Sequence, residues 1–412
     1  MKKLLIHNIG ILQTPVGSAP ARGEKQGENL KLKNAAILIE NGIIKEITAD
    51  GNLPKGKTSD TVRIDAKGHL VTPGLIDSHT HLVFGGWRQN EIPLKIKGAS
   101  YLDILRAGGG ILDTVAKTHT ASEEELFEKS MTFLDEMLAL GVTTCEAKSG
   151  YGLDVETELK QLNVMKQVNE QHAIDVIPTF MGAHAIPKTH TGNADGYINF
   201  ICEEMLPLVA EKGLAKYCDI FCEDSVFNVE QSRKVLLKAK ELGFGIKIHA
   251  DEIEEIGGAE LAGEVSAISA EHLIATGEKG IEAMSKAGTI ANLLPQTSFY
   301  LGKNYARARD MINSGMAVAI SSDFNPGSCP SNNLQLSINL GYLKYRMFPE
   351  EILTAVTLNA ACTIGIADKA GTIELGKQAD IVIWNTPDFE TVCYRFGTNQ
   401  VKTVIKSGEV QI

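Results

Sequence analysis

The chain lacks the features that would suit it to a charged polymer, a membrane or an oxidising compartment. Its formal charge is −11 over 412 residues, and an acidic surface is a poor match for nucleic acid or an anionic bilayer. No run approaches the roughly 18 apolar residues of a membrane span. Met1-Lys2-Lys3-Leu4-Leu5-Ile6 begins like a secretory leader, but His7 and Asn8 interrupt it before an apolar region forms. The seven cysteines are odd in number and include no CxxC pair. They read as reduced thiols of a cytoplasmic protein. No GxGxxG follows the first strand, and no Lys-Ser/Thr follows the glycines at 108–110, so neither a dinucleotide fold nor a phosphate cradle is signalled. What is present, 43% hydrophobic and 22% charged residues, describes a globular chain with ample core material.

The middle of the chain repeats one unit: an amphipathic helix, a turn often marked by Gly, then a short apolar strand. Ser122 and Glu125 make a capping box. They open a helix with Phe127, Met131, Leu134 and Leu138 on one face, and Gly141 closes it. Strands are expected at 75–81, 142–146, 174–180, 218–222, 244–249, 268–272, 289–293 and 317–322. Apolar strands alternating with helices imply parallel β/α units buried on both faces. A doubly wound sheet is the rival arrangement, but about eight units over roughly 250 residues favour a closed barrel. The ends differ. Residues 1–70 and 371–412 alternate short β-like runs with turn residues, and neither piece is large enough to stand alone. The expected fold class is therefore α/β, a (β/α)8 TIM barrel over 71–370 with a small β-sandwich domain built from both termini. Residues 17–28 read as a surface loop, and 331–368 as one or two extra helices.

The strongest chemical signal is His79-Thr80-His81 at the end of the first barrel strand. Residues i and i+2 of a strand face the same way, so their imidazoles can converge on one ion. His249 ends the fifth expected strand and Asp323 the eighth. In a TIM barrel those strand ends form a single face, where active sites sit. Three histidines and an aspartate suit zinc or iron and leave room for water. The bland alternative makes His249 a core histidine and Asp323 a helix cap. His7, His119, His172 and His190 have no placement that suggests a role.

The run Pro73-Gly74-Leu75-Ile76-Asp77-Ser78-His79-Thr80-His81 resembles the first-strand signature of the amidohydrolase superfamily. The segments Phe84–Arg88, Lys148–Gly152, Phe180–His184, His249–Glu252 and Asp323–Ser328 are similar to the imidazolonepropionase family within it. The resemblance implies metal ligation by His79, His81, His249 and Asp323. It implies catalytic partners in Glu252 and His272 beside Asp323, and substrate contacts from Arg88, Tyr151, His184, Asn325, Gly327 and Ser328. Tyr101 is a further candidate hydroxyl donor.

Chemistry supports several of these roles. Glu252, three residues beyond His249, is near enough to shuttle protons, and His272 at a strand end can polarise a carbonyl. Arg88 can grip a carboxylate, which an acidic enzyme needs for an anionic substrate. The fourth expected strand, Cys218-Asp-Ile-Phe-Cys-Glu223, offers no lysine to bridge two metals. One divalent ion, Zn or Fe, is therefore expected, with Glu223 a weaker candidate for a second. The implied reaction opens 4-imidazolone-5-propanoate hydrolytically to N-formimidoyl-L-glutamate. A related cyclic amidohydrolase or nucleobase deaminase, and a non-catalytic metal-binding assembly protein, are the competing readings. A small anionic substrate and a homodimer are expected, with no nucleic-acid or membrane partner.

Overall fold

Leu4, Leu5, Ile6, Ile9 and Leu12 give the N-terminal segment its apolar face, and it forms one long strand, β1 (Lys3–Thr14). In this computed structural model, which describes residues 2–55, 61–98 and 108–412, β1 seeds a mixed sheet. It pairs antiparallel with β2 (Leu30–Glu40), which pairs antiparallel with β3 (Ile43–Thr48). It also runs parallel to β4 (Val62–Asp65) and β5 (Leu70–Pro73). The C-terminus joins at β5: β14 (Ile381–Trp384) lies antiparallel to it, followed outward by β15 (Val401–Lys406) and β16 (Glu409–Val410). The two ends thus form one eight-stranded sheet. Its own core joins Ile6, Ile9 and Ile37 to Ile381, Ile383 and Ile405.

Eight parallel strands follow in chain order from β5. They are β6 (Leu75–Asp77), β7 (Val142–Lys148), β8 (Asp175–Ala183), β9 (Tyr217–Cys222), β10 (Gly245–Ala250), β11 (Ser269–His272), β12 (Ile290–Leu293) and β13 (Val318–Ile320). Each pairs with the next. Thr80 bridges Phe324, joining the extensions of β6 and β13. Backbone bonds from His81 N–H to Phe324 O (2.8 Å) and from Asp323 N–H to His79 O (3.1 Å) complete the seam. The first strand's signature residues therefore lie just past β6, still held by both neighbours. This is the TIM barrel expected from the repeat, and its C-terminal strand ends share one mouth.

Several local expectations are refined. Ser122 caps the helix Glu123–Ala139 through the reciprocal bonds of a capping box, and Gly141 follows its C-terminus at φ +94°. The buried face centres on Leu126, Phe133, Leu134 and Met137, while Phe127 and Met131 lie at its partly buried border. Residues 17–28 are not wholly a surface loop. Gly23–Gly27 forms a short 3-10 turn, and Gln26 is fully buried with its amide bonded to Val318 and Glu351. Three helices, not one or two, follow the barrel: Leu334–Leu343, Pro349–Ala355 and Leu358–Thr363. None of the described helices is long and apolar enough to cross a membrane.

Candidate metal centre and active site

The barrel mouth gathers His79, His81, His249, His272 and Asp323, each at most 3% exposed. One ligand atom each from His79, His81 and His249 fit within 4.8 Å of one another, as do those of His79, His272 and Asp323. His79 Nε2 is 3.4 Å and His81 Nε2 3.7 Å from Asp323 Oδ1. Burial holds the imidazoles of His79, His81 and His272 well below their ordinary pKa, so they are neutral donors with free lone pairs. His79 Nε2, His81 Nδ1 and His249 Nε2 are buried without a hydrogen-bond partner. Buried polar atoms are almost always satisfied. A cluster of orphaned imidazole nitrogens beside a carboxylate fits a divalent metal. Thr297 Oγ1 donates to the other oxygen of Asp323. Burial, acting before that hydrogen bond and the His249 charge, leaves the Asp323 carboxyl at about 6. His272 and Asp323 both take left-handed backbone conformations, φ +70° and +60°. Such strain in residues other than glycine concentrates at functional sites.

Glu252 stands at the rim. Its carboxylate is 3.7 Å from His272 Nε2, and 15% of its side chain is exposed. Burial, with Asp323 and Glu223 adding repulsion, raises it to about 8. Glu223 does not join a metal-capable group among the described residues. Its carboxylate accepts the N–H groups of Asp224, Ile253 and Glu254, holding the loop that carries Glu252. His184, brought down to about 3 chiefly by burial, stacks on His81 with ring centroids 4.8 Å apart, and Tyr151 packs against both.

Arg88 lies close enough to Tyr151 for its charge to act on that hydroxyl. It pairs bidentately with Glu91 through Nε (2.8 Å) and Nη2 (3.1 Å). Its remaining edge faces Gly327, where an added Cβ would sit 2.0 Å from Nη1. Asn325 holds that turn: its Oδ1 accepts from Gly327 and Ser328 N–H at 2.8 Å, and its Nδ2 donates to Asp323 O at 2.7 Å. Asn325 and Ser328 thus fold the loop that meets Arg88. Tyr101 lies outside the described residues. A groove of about 680 Å³ lined by Tyr342, Phe348, Asp388 and Tyr394 includes none of these groups.

The groups that hold the histidines from behind stand outside the motifs that mark the site in the sequence. Glu271 Oε2 accepts from His79 Nδ1 at 2.9 Å, and Asp219 Oδ2 lies 3.0 Å from His249 Nδ1. Glu91 and Thr297, which bond Arg88 and Asp323, stand outside those motifs too. The signal was available: Asp219, Lys247 and Glu271 are charges set inside short strands of a repeat that buries both faces. A charge in a doubly buried strand needs a partner.

The Amidohydrolase family model matches residues 70–410. An imidazolonepropionase of Alkaliphilus metalliredigens is 49% identical over 418 aligned residues, covering 100% of this chain and 98% of its own. That of Bacillus velezensis is 50% identical, covering 99% and 96%. The chain belongs to the imidazolonepropionase branch of the amidohydrolase family. Similar solved structures include a 5-methylcytosine deaminase of Klebsiella pneumoniae (TM-score 0.75, 16% identity, 99% of this chain and 98% of that one). Another is the E. coli guanine deaminase (0.74, 15%, 100% and 99%). At such identity these likenesses show the fold alone.

Proposed function

We propose that this amidohydrolase opens the ring of 4-imidazolone-5-propanoate to give N-formimidoyl-L-glutamate, using one divalent ion, zinc or iron. The observation that carries the proposal is the cluster of orphaned imidazole nitrogens at the barrel mouth, with the Arg88 guanidinium against Gly327 in the loop that follows Asp323. His79, His81, His249 and Asp323 would hold the ion, which supplies acidified water and carbonyl polarisation when bound.

The remaining steps belong to the chain's own groups. Arg88, with one edge fixed on Glu91, offers its other edge to the propionate carboxylate. Tyr151 and His184 form the wall beside His81 and hold the ring in the mouth. Glu252 takes the proton released as the water oxygen bonds to the carbonyl carbon. It returns a proton to the ring nitrogen as the C–N bond breaks. Its raised affinity for protons suits it to both halves of that exchange. His272 is placed to support the carbonyl oxygen as charge develops there. Asp323 shares the mouth with Glu252 and joins it in proton handling. A homodimer working in the cytoplasm completes the reading.

The test follows loss of imidazolone absorbance when enzyme is added to imidazolone propionate, with the same ring lacking its propionate as control. Rapid loss with the first compound and slow loss with the second is expected. Equal rates would leave a cyclic amidohydrolase with no recognition of the propionate, and release of ammonia from guanine or cytosine at a higher kcat/KM would replace this reading with that of a deaminase.

A further inference from the structure

Five ionisable side chains with no exposed surface lie inside the barrel below the histidines: Glu146, Lys148, Asp219, Lys247 and Glu271. They come from β7, β9, β10 and β11. They form an unbroken path. His249 Nδ1 is 3.0 Å from Asp219 Oδ2, close though not aligned as a hydrogen bond. Lys148 Nζ bonds that same oxygen at 2.8 Å and lies 3.0 Å from Glu146 Oε2. Lys247 Nζ is 3.0 Å from Glu146 Oε1 and 3.7 Å from Glu271 Oε1. Glu271 Oε2 then meets His79 Nδ1 at 2.9 Å.

Every member touches a charge of opposite sign, which a dry interior demands. Stability alone does not explain such a path, because well-packed apolar side chains commonly serve as well or better. Its termini are informative. Each end is the Nδ1 of a histidine whose Nε2 is buried without a partner. A carboxylate beside Nδ1, hydrogen-bonded at His79 and 3.0 Å away at His249, favours the proton there and leaves the Nε2 lone pair outward. Asp219 is itself fixed, since its other oxygen accepts the N–H groups of Ile220 (2.7 Å) and His249 (3.1 Å). Ser269 likewise holds Glu271. Among the described residues no carboxylate is found at His81 Nδ1, whereas His249 Nδ1 has Asp219 3.0 Å away.

We infer that the Asp219–Lys148–Glu146–Lys247–Glu271 path is a positioning layer that sets the tautomer and ring orientation of His79 and His249 together. Glu146 joins the two halves and touches neither histidine. The inference rests on the proposal that these two histidines hold the ion. Lysines carry the path because each ammonium has three donors and can join two carboxylates.

The experiment measures Zn2+ affinity of the full chain by competition with a chromophoric chelator, with and without Glu146→Gln. Glu146→Gln, one step behind the groups that meet the histidines, is expected to weaken Zn2+ binding by up to about the tenfold lower end of what loss of a direct partner of a metal-bound histidine costs. The rise in Tm produced by Zn2+ should shrink with it. A merely structural Glu146 would lower Tm equally with and without Zn2+ and leave the affinity unchanged, overturning the inference. If Glu146→Gln does not fold, Glu271→Gln, which preserves shape and a contact for Ser269, takes its place with the same expectations. His249→Ala separates the two ideas. Undiminished Zn2+ affinity in that variant refutes the ligand assignment. Lost affinity there, with wild-type affinity in the glutamine variant, refutes the positioning layer alone.

Discussion

Replacing Arg88 by methionine probes substrate capture and fold stability at once, and the structure separates the two effects. Arg88 gives Nε and Nη2 to Glu91 and leaves its other edge at Gly327. Loss of a charge-assisted contact to the propionate amounts to about 1.5–3 kcal/mol, roughly ten- to a hundredfold in kcat/KM. The ring without a propionate should be hydrolysed by Arg88→Met at the wild-type rate.

Stability falls for a different reason. Glu91 is buried and, among the described residues, keeps Lys95 (3.2 Å) and the Gly110 N–H (2.7 Å) when Arg88 is gone. Weakening a buried carboxylate's partners costs about 1–3 kcal/mol. Burial pushes the Glu91 carboxyl up, but Arg88, Gly110 and Lys95 outweigh it and hold the group below its ordinary 4.5. A depressed carboxyl contributes stability above its unfolded pKa and loses it as pH falls through the folded one. The gap in Tm between wild type and Arg88→Met should therefore be widest near neutrality and close below pH 4.5. Arg88→Met/Glu91→Gln should recover Tm without recovering kcat/KM. Paired steady-state assays on the two substrates, with thermal melts across pH, check each part. An unchanged ratio of kcat/KM between the two rings would remove Arg88 from substrate recognition.

Three further outcomes are expected. Glu252→Gln should keep its metal, by elemental analysis, while kcat falls by about the 10²–10⁴ of lost acid–base catalysis; a metal-free or fully active variant would reassign the proton. Full activity should coincide with one ion per chain, because the fourth barrel strand carries Asp219 and no lysine. Titration requiring two ions for full turnover would refute this. Gly327→Ala should reproduce the kinetic defect of Arg88→Met, since its Cβ falls 2.0 Å from Arg88 Nη1; wild-type kcat/KM would show that the guanidinium can move without loss.

The barrel and its mouth were legible in the sequence because they are written in local patterns. Strand periodicity, the capping box at Ser122 and the Gly141 turn depend on near neighbours. His79, His81, His249 and Asp323 then follow from one topological rule about strand ends. Gln26 escaped that reading because its polar, loop-like segment gives no local sign of inserting between Val318 and Glu351. Glu223 was ambiguous for a related reason: an acidic residue at a strand end serves a metal or a loop equally well. In the structure its carboxylate accepts the backbone N–H groups of Ile253 and Glu254.

The sequence by itself determined which residues are apolar, how they alternate and where helices begin and stop, since these follow from a few adjacent side chains. Only the tertiary structure decided the partners of charges set far apart in the chain. The pairing of Arg88 with Gly327, of His79 with Glu271 and of Lys148 with Asp219 spans long stretches of sequence. No local preference encodes such contacts. They arise because closing the barrel places strands β6, β7, β9, β10 and β11 around one dry interior, where each charge must find another.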